Sequence, residues 1–350
     1  MAHEIDYIPV GTGEKGGDAI AIRYGDFRSP ETQHVIVIDG GTKESGKALV
    51  EHIKTHYGTS FVDAAIASHL HNDHISGLSE VLDGLTVGKL VAHCPWDYTN
   101  AIQKMTNTTA TQRGLETRLE KSLVMLSTIT DLAASKRIPI IQPFAGEQIH
   151  DGLYVLGPTK EYYQQLLANF GVTPEAKDGH KIEQFIGAVK EAVSWVAEAL
   201  DIETLSDDYP DTNPENNSSF VLLLAVDGKR FLFTGDAGKE GLGQAIDFAE
   251  GKGVALNKID FFDVPHHGSK RNLGPTILNR LMPLNAFISC PPQGDPKHPS
   301  RKVVNALIRR NCNPGSTRKG APICHPSTDA PQRAGWYPLT PEAFFNEVEE

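Results

Sequence analysis

The strongest constraint on this chain is a dense run of metal-binding residue types in the segment SHLHNDHISGL. Within six residues the sequence places His69, His71, Asp73 and His74 in the pattern H-x-H-x-D-H, directly after an apolar, strand-like segment. On an extended loop, side chains two positions apart project to the same side, so His69 and His71 can hold one ion. Asp73 and His74 then diverge towards a second ion, as a two-metal site requires. A polar loop that merely caps the following helix is the alternative.

Two later segments supply further candidate ligands at the ends of strands. Asp236 closes the segment FLFTGD, where Gly235 leaves its carboxylate free to approach an ion, and His266 and His267 follow an apolar strand in VPHHGS. A Gly-Asp pair after a strand is by itself an ordinary turn, and two adjacent histidines mean little alone. Combined with the first loop, these segments favour a metal centre.

In this order the segments resemble the metallo-β-lactamase superfamily of metal-dependent hydrolases. Further segments are similar to the branch found in ComEC-like competence proteins and phosphorylcholine esterases. They are GEKGGDAIAI, VIVIDGG, NNSSFVLLL and the late KHPS. The resemblance implies an α+β fold, a four-layer αβ/βα sandwich with a helical insertion, whose site lies at the edge between two sheets.

The resemblance also implies how the ligands divide between two divalent ions. They are His69 and His71 for the first ion, Asp73 and His74 for the second, Asp236 as the bridge, and His267 as the terminal ligand of the second. His267 is favoured over His266, which would then lie behind the ligands or donate a proton. Nitrogen and oxygen ligands of this kind suit Zn²⁺, with Mn²⁺ as the alternative.

One departure from the family pattern concerns the first ion. Many members supply it with a further histidine between the H-x-H-x-D-H loop and the Gly-Asp, but His93, His150 and His180 stand in no matching context. At the comparable block the chain has Asn216 and Asn217, which are predicted to line the site or contact the substrate.

The ligands themselves predict hydrolysis. A bound divalent ion lowers the pKa of its water to about 7 and supplies hydroxide, while a second ion polarises the electrophilic oxygen. In the family, Asp73 occupies the position that orients this hydroxide and accepts its proton. His266 and His298 are the candidate proton donors for the leaving group.

Charge bears on the choice of substrate. The whole chain carries a formal charge of -11, yet the stretch from His266 to Lys319 contains ten basic residues and one acidic residue. Ser269, Lys270 and Arg271 adjoin the ligands and are predicted substrate contacts. Clusters of this kind bind phosphate backbones, so the leading hypothesis is a metal-dependent phosphodiesterase acting on nucleic acid as a nuclease. A solvated helical face is the alternative reading of the charge.

Two other functions stay open at this stage. The fold serves many chemistries, so a hydrolase of small carboxylic esters, lactones or thioesters is the second hypothesis. The third is a non-catalytic, metal-stabilised module that binds or regulates a protein partner. Independently of these functions, the chain is expected to bind a protein partner or to form a homo-oligomer.

The remaining expectations concern organisation and location. We expect a single domain over residues 1–325, with helical insertions at roughly 96–138 and 159–200 that include a helix over 181–199. Residues 326–350 form a tail, with Trp336 and Tyr337, that packs on the domain or a partner. Asp227-Gly228 between two apolar runs predicts a hairpin. No apolar run is long enough to cross a membrane and no secretory signal begins the sequence, so we expect a cytoplasmic protein with reduced cysteines.

Overall fold

The computed structural model describes residues 2–28, 30–106, 108–172, 194–331, 333 and 340–350. The strands in these ranges are β1 Ala2–Tyr7, β2 Ile20–Gly25, β3 Gln33–Ile38, β4 Phe61–Val62, β5 Ala64–Ile66, β6 Thr86–Val87, β7 Leu90–Val91, β8 Ile140–Ile141, β9 Gln148–His150, β10 Leu153–Gly157, β11 Trp195–Ala197, β12 Val221–Val226, β13 Lys229–Phe233, β14 Phe261–Asp263, β15 Asn285–Ile288, β16 Asn313–Ser316, β17 Ile323–Pro326 and β18 Glu347–Glu349.

Helices connect these strands. They are α1 Lys43–His52, α2 Asn72–Ile75, α3 Leu78–Gly84, α4 Thr99–Met105, α5 Gln112–Ser122, α6 Val124–Ser135, α7 Lys160–Leu167, α8 Pro214–Asn217, α9 Lys239–Gly251, α10 Pro275–Leu281 and α11 Arg301–Arg309. A π-helical turn, Ile53–Tyr57, extends α1, and short 3-10 turns include His266–Gly268. Within the described ranges, no helix combines the length and the apolar composition needed to span a bilayer.

Two seven-stranded sheets form the centre of the molecule. The first has the order β17-β1-β2-β3-β5-β7-β8, and the second has the order β16-β15-β14-β13-β12-β10-β9. In β3, Ile36 and Ile38 face the second sheet, whereas Val35 and Val37 face the helices. A strand that is apolar on both faces belongs in the interior of a layered fold.

Helices cover the outer face of each sheet. The first sheet packs under α1, α3 and α6, with Leu49, Leu82 and Ile129 in that layer of the core. The second packs under α9, α10 and α11, with Leu242 and Leu278 among the residues of its layer. The order of layers is helix, sheet, sheet, helix. The α+β four-layer sandwich implied by the resemblance is confirmed.

The predicted hairpin is present as β12 and β13. Asp227 and Gly228 form its two-residue turn, with φ angles of 54° and 74°. Both angles are positive, as a type I′ turn requires, and this turn matches the twist of the flanking strands. The register pairs Val226 with Lys229, which brings β13 to its end at Phe233, immediately before the Gly-Asp of the site.

The regions expected to be helical insertions differ in outcome. Helices α4, α5 and α6 lie within 96–138, and α7 lies within 159–200. Most of the helix predicted over 181–199 falls outside the described residues, but its last part is wrong, because residues 195–197 form the strand β11. Val196 pairs there with Val348 of β18, so tertiary pairing overrides the local helical pattern.

The chain beyond residue 325 contributes to the fold where it is described. Phe345 packs against the helical layer of the second sheet, and β18 pairs with β11. Trp336 and Tyr337 lie outside the described residues. The division of the chain at residue 325 stays a prediction.

Candidate metal centre

The predicted ligands lie at one edge of the sandwich, where strands of both sheets end. His69 follows β5, Asp236 follows β13, and His267 follows β14. Neighbouring strands β3 and β5 are parallel, as are β13 and β14, so their carboxyl ends meet at the same edge. This topology brings together residues that are almost 200 positions apart in the sequence.

Two groups of donor atoms share Asp236. The first group is His69, His71 and Asp236, and the second is Asp18, His74, Asp236 and His267. In each group the ligand atoms all lie within 4.8 Å of one another. We call these six residues the metal pocket.

The two carboxylate oxygens of Asp236 face different groups. Its Oδ2 lies 3.7 Å from Nε2 of His69, and its Oδ1 lies 3.3 Å from Nε2 of His74. A carboxylate placed in this way can give one oxygen to each of two ions. The bridging role of Asp236 stays a prediction, and the geometry is the one that it requires.

The donor set fits a cation. Nδ1 of His74 donates to Oδ2 of Asp39 at 2.8 Å, so a neutral His74 presents a lone pair on Nε2. Nε2 of His74 and Oδ1 of Asp236 are both buried, and neither has a hydrogen-bond partner in the part of the chain that the structure describes. Two acceptors that face each other in a buried pocket require a positive charge between them.

The electrostatics of the pocket favour positive charge at this point. Burial alone would lower the pKa of His74, but the carboxylates of Asp236 and Asp18 outweigh it and hold that pKa well above its usual range. For His267, burial likewise opposes the charged form, yet Asp18 and Asp236 raise the pKa to about 9. The pocket therefore attracts a proton or a metal ion strongly.

His69 differs from these two rings. Its pKa is lowered well below the usual range by burial and by the neighbouring ring of His74, so it stays neutral, the form that binds metals. The Ser68 hydroxyl donates to Asp39, which leaves Ser68 Oγ to accept from Nδ1 of His69 at 3.0 Å. Nε2 of His69 therefore carries the lone pair on the side of His71 and Asp236.

Residues behind the ligands fix the orientation of the His74 and His267 rings by hydrogen bonds. Asp39 accepts from Ser68 and from His74, and Nδ1 of His267 donates to the carbonyl of Ser289 at 2.9 Å. Partners of this kind set the tautomer and the orientation of metal-binding imidazoles. Sequence reasoning did not single out Asp39, although it lies in the VIVIDGG segment.

Asp18 and Asp73 hold unexpected positions. Asp73, the ligand implied by the resemblance, is exposed and belongs to neither donor group, whereas buried Asp18 belongs to the second group. Oδ2 of Asp18 lies 3.7 Å from Nδ1 of His74, and its Oδ1 lies 3.4 Å from Nδ1 of His267. Sequence reasoning missed Asp18, and the acidic residue in GEKGGDAIAI was the signal that could have found it. The role of Asp73 stays a prediction.

The backbone at the pocket adopts left-handed conformations. His266, His267 and Gly268 have φ angles of 49°, 56° and 81°, and Gly235 has a φ of 49°. Such angles are uncommon for residues with a side chain and cost on the order of 1 kcal/mol or more each. A Cβ at Gly235 would also crowd the Ser68 hydroxyl, so glycine is required there.

His266 and His298 line the pocket beside the ligands. Asn272 donates through its amide nitrogen to the Asp236 carbonyl, so its oxygen accepts from Nδ1 of His266 at 2.9 Å. Nε2 of His266 then points towards Oδ2 of Asp236, 3.6 Å away. Burial, with the nearby rings of His266 and His267, lowers the pKa of His298 to about 3, so this ring is neutral near pH 7. The proton-donor roles stay predictions.

Of the two asparagines predicted to contact the substrate, one lies beside His266 and the other caps a helix. Asn216 lies beside His266, with its Nδ2 3.3 Å from Nδ1 of the ring, and its buried Oδ1 has no partner among the described residues. Asn217 instead accepts from the backbone of Gly238 and Gly241 and so caps α9. Only the first of the two asparagines has an atom left for a substrate.

The three residues after the VPHHG segment are engaged within the protein. Ser269 is buried and accepts from the backbone of Arg271. The Arg271 guanidinium donates to the carbonyls of Pro210 and Asp211, and Lys270 donates to the carbonyl of Glu350. Their predicted substrate role is untested.

Half of the ten basic residues between His266 and Lys319 form ion pairs within the fold. Five of its arginines pair with carboxylates, most of which come from outside the stretch. The pairs are Arg280 with Asp247 and Glu250, Arg301 with Asp295, Arg309 with Glu198, Arg310 with Glu203, and Arg318 with Glu342. A count of charges along the sequence misses these partners, because tertiary structure supplies them.

Comparison with known families identifies the fold. The profile of the metallo-beta-lactamase superfamily matches residues 27–290. The chain belongs to this superfamily. Membership assigns the chain to a group of metal-dependent hydrolases whose fold binds divalent metals, often two, and the buried His and Asp residues of the metal pocket agree with this.

Two curated proteins are similar over part of the chain. ComE operon protein 3 of Bacillus subtilis is 35% identical over 113 residues, which are 32% of this chain and 14% of that protein. Recombination protein 2 of Haemophilus influenzae is 34% identical over 139 residues, 39% of this chain and 16% of that protein. This chain thus matches less than one fifth of the length of either relative. The resemblance to ComEC-like proteins is confirmed.

Among solved structures, the chain is similar to Tm1679, a metal-dependent hydrolase of the beta-lactamase superfamily. The sequence identity is 12%, the TM-score is 0.44, and the superposition covers 92% of this chain and 98% of that one.

Proposed function

We propose that this protein is a metal-dependent phosphodiesterase. The observation that carries the proposal is the position of Asp236 between two groups of donor atoms, with one oxygen facing each group. Pairs of divalent ions held in this way recur in enzymes that cleave phosphate esters, where one ion acts on the attacking oxygen and the other on the leaving oxygen. Zn²⁺ is the proposed metal, because most of the donors are imidazole nitrogens, and Mn²⁺ is the alternative.

The residues of the chain supply the rest of the chemistry. Bound ions would contribute Lewis-acid activation of water and of the phosphoryl oxygen. Asp236 and Asp18 hold the negative charge that retains the ions, while Asp39 and Ser289 fix the rings of His74 and His267. His266, braced by Asn272, lies at the open side of the pocket, where it can move a proton to the leaving group.

The ion pairs of the basic stretch bear on whether the substrate is a nucleic acid or a small phosphodiester. Nucleic acid binding depends on several free cations and weakens steeply with salt. Since five arginines of the basic stretch are paired within the fold, we expect a small phosphodiester to be hydrolysed with little dependence on salt. DNA and RNA are tested beside it.

The test is hydrolysis of bis(p-nitrophenyl) phosphate by protein loaded with Zn²⁺ or Mn²⁺, beside single- and double-stranded DNA, RNA, nitrocefin, a lactone and a thioester. We expect phosphodiester turnover that Asp236→Ala lowers by about 10² to 10³-fold, the range that loss of one group stabilising the transition state costs. Asp247→Ala, which removes an exposed carboxylate paired with Arg280, is the matched control and should retain turnover. Turnover of the lactone or thioester alone would overturn the proposal.

A further inference from the structure

A second group of metal-binding residue types lies at the opposite end of the sandwich. His34 is at the start of β3, Asp63 immediately precedes β5, and His150 ends β9. The metal pocket lies beyond the other ends of β3 and β5. The donor atoms of these three residues all lie within 4.8 Å of one another. We call them the distal group.

The hydrogen bonds of Tyr24 determine which nitrogen of His150 carries a proton. The Tyr24 hydroxyl donates to the carbonyl of Asp151 at 2.7 Å, and a carbonyl can only accept. The phenol has one proton, and burial with the nearby carboxylates of Asp63 and Asp151 raises its pKa, so it stays neutral. The contact of 2.9 Å between Tyr24 and Nδ1 of His150 therefore uses a proton on the ring.

A neutral His150 with its proton on Nδ1 presents a lone pair on Nε2. That atom lies 3.1 Å from Oδ1 of Asp63. The other oxygen of Asp63, Oδ2, accepts from the backbone N–H of Val35 at 2.7 Å. A cation between Nε2 of His150 and Oδ1 of Asp63, either a metal ion or a second proton on the ring, would then satisfy both atoms.

The position of His34 indicates which cation. Its Nδ1 lies 3.9 Å from the same Oδ1 of Asp63, and its ring centroid lies 4.7 Å from that of His150. Two ligands of a tetrahedral zinc ion are about 3.3 Å apart when each lies about 2.0 to 2.1 Å from the metal. The separations of 3.1 and 3.9 Å lie on either side of this value. A proton between His150 and Asp63 would account for the contact of His150 with Oδ1, but it would not account for the approach of His34 to the same oxygen.

The group is open enough for an ion to enter and for water to complete the coordination. The side chain of His34 is 34% exposed, against 16% for His150 and 15% for Asp63. We propose that His34, Asp63 and His150 bind a Zn²⁺ ion at a site separate from the metal pocket.

The site would join the two sheets. His34 belongs to β3 in the first sheet, and His150 belongs to β9, the edge strand of the second. An ion held by both fastens that edge strand to the end of the sandwich that lies away from the metal pocket. Because metal binding to the folded chain alone adds its free energy to folding, Zn²⁺ raises the stability of the protein through this site.

The test counts zinc in wild type, His34→Ala, His150→Ala and the control His56→Ala, after chelation and equilibrium dialysis against Zn²⁺. His56 is a partly exposed histidine that belongs neither to the metal pocket nor to the distal group. We expect His34→Ala and His150→Ala each to bind one equivalent less than wild type and His56→Ala to match it. Equal zinc content in all four proteins would overturn the proposal.

Two further measurements protect the test from a folding defect. If His150→Ala does not fold, as judged by circular dichroism, His34→Ala gives the same count from the more exposed ring. Tyr24→Phe keeps all three ligands and removes only the hydroxyl that orients His150, so zinc affinity at this site should fall about 10-fold or more. Unchanged affinity in Tyr24→Phe, measured by competition with a chromogenic chelator, would contradict the role given to the phenol.

The proposal is independent of the proposed hydrolase activity. None of the three residues belongs to the metal pocket, so His34→Ala and His150→Ala should keep phosphodiester turnover within about twofold of wild type, as expected for distant sites.

Discussion

The two ends of β3 and β5 carry two groups of histidine and aspartate that differ in how they are held. In the metal pocket, His74 and Asp236 are buried, and the rings of His69, His74 and His267 are fixed by Ser68, Asp39 and Ser289 behind them. In the distal group all three side chains are partly exposed, and Tyr24 is the brace that sets the tautomer of His150. The ligand types are the same, and their surroundings differ.

The difference concerns what each group can do with an ion. A buried, braced pocket with a shared carboxylate holds ions in fixed positions and at low local dielectric, which hydrolysis requires. A half-exposed group with one brace can bind an ion and fasten two sheets, but it does not build a preorganised site. The surroundings of the ligands therefore separate chemistry from stabilisation.

The largest expected effect separates Asp18 from Asp73. Because Asp18 lies among the ligand atoms and Asp73 is exposed, Asp18→Asn should lower both metal content and phosphodiester turnover, the latter by 10² to 10³-fold. Asp73→Asn, its matched variant, should retain the metal content. Loss of metal in Asp73→Asn but not in Asp18→Asn would restore the ligand set implied by the family resemblance.

The next effect concerns the close packing of the pocket. A Cβ at Gly17 would overlap the carbonyl oxygen of Asp73 and contact Val10, whereas a Cβ at Gly13 meets nothing within 4 Å. Gly17→Ala should therefore lower the free energy of unfolding by about 1–3 kcal/mol and weaken the metal pocket. Urea denaturation measures it, with Gly13→Ala expected within about 0.5 kcal/mol of wild type. The distal group should bind zinc equally in both variants.

A smaller effect concerns His93, a buried histidine that forms no ion pair within the part of the chain that the structure describes. His93 donates to the carbonyl of Pro143 and contacts the rings of Phe144 and Phe220. Burial lowers its pKa from 6.5 to about 3. The unfolded chain therefore takes up a proton below pH 6.5 that the folded chain refuses, so the stabilising contribution is complete above pH 6.5 and is lost as the pH falls towards 3.

His93→Phe removes this titration. Between pH 7 and pH 5, the titration of His93 lowers the free energy of unfolding of the wild type by about 2 kcal/mol, at 1.36 kcal/mol per pKa unit. The variant should lose less free energy of unfolding between pH 7 and pH 5 by about that amount, as measured by denaturation at the two pH values. An identical loss in both proteins would show that His93 is charged in the folded state or already neutral in the unfolded one.

Much of the fold was accessible from local sequence. The Asp227-Gly228 pair predicted the hairpin, because few residue pairs readily adopt the two positive φ angles of such a turn. The order of the motifs implied the sandwich. The strand at residues 195–197 was missed because its partner, β18, lies about 150 residues away. Local periodicity carries no information about such a pairing.

The residues of the metal pocket and its surroundings likewise include some that local sequence predicted and some that it did not. His69, His71, His74, Asp236 and His267 were predicted, and the structure brings them together. Asp18 and Asp39 were not, because their significance depends on the neighbours that the strands give them. The ion pairs of the basic stretch were not predicted for the same reason, since carboxylates such as Glu198 and Glu342 lie far from the arginines in sequence.

The central claim is that Asp236 joins two ions in one pocket. The direct measurement is the metal content of Asp236→Ala after dialysis against Zn²⁺, made in a His150→Ala background so that the distal group does not contribute. We expect two equivalents in the background protein and one or none when Asp236 is also replaced, because Asp236 belongs to both groups of donor atoms. Two equivalents in both proteins would contradict it.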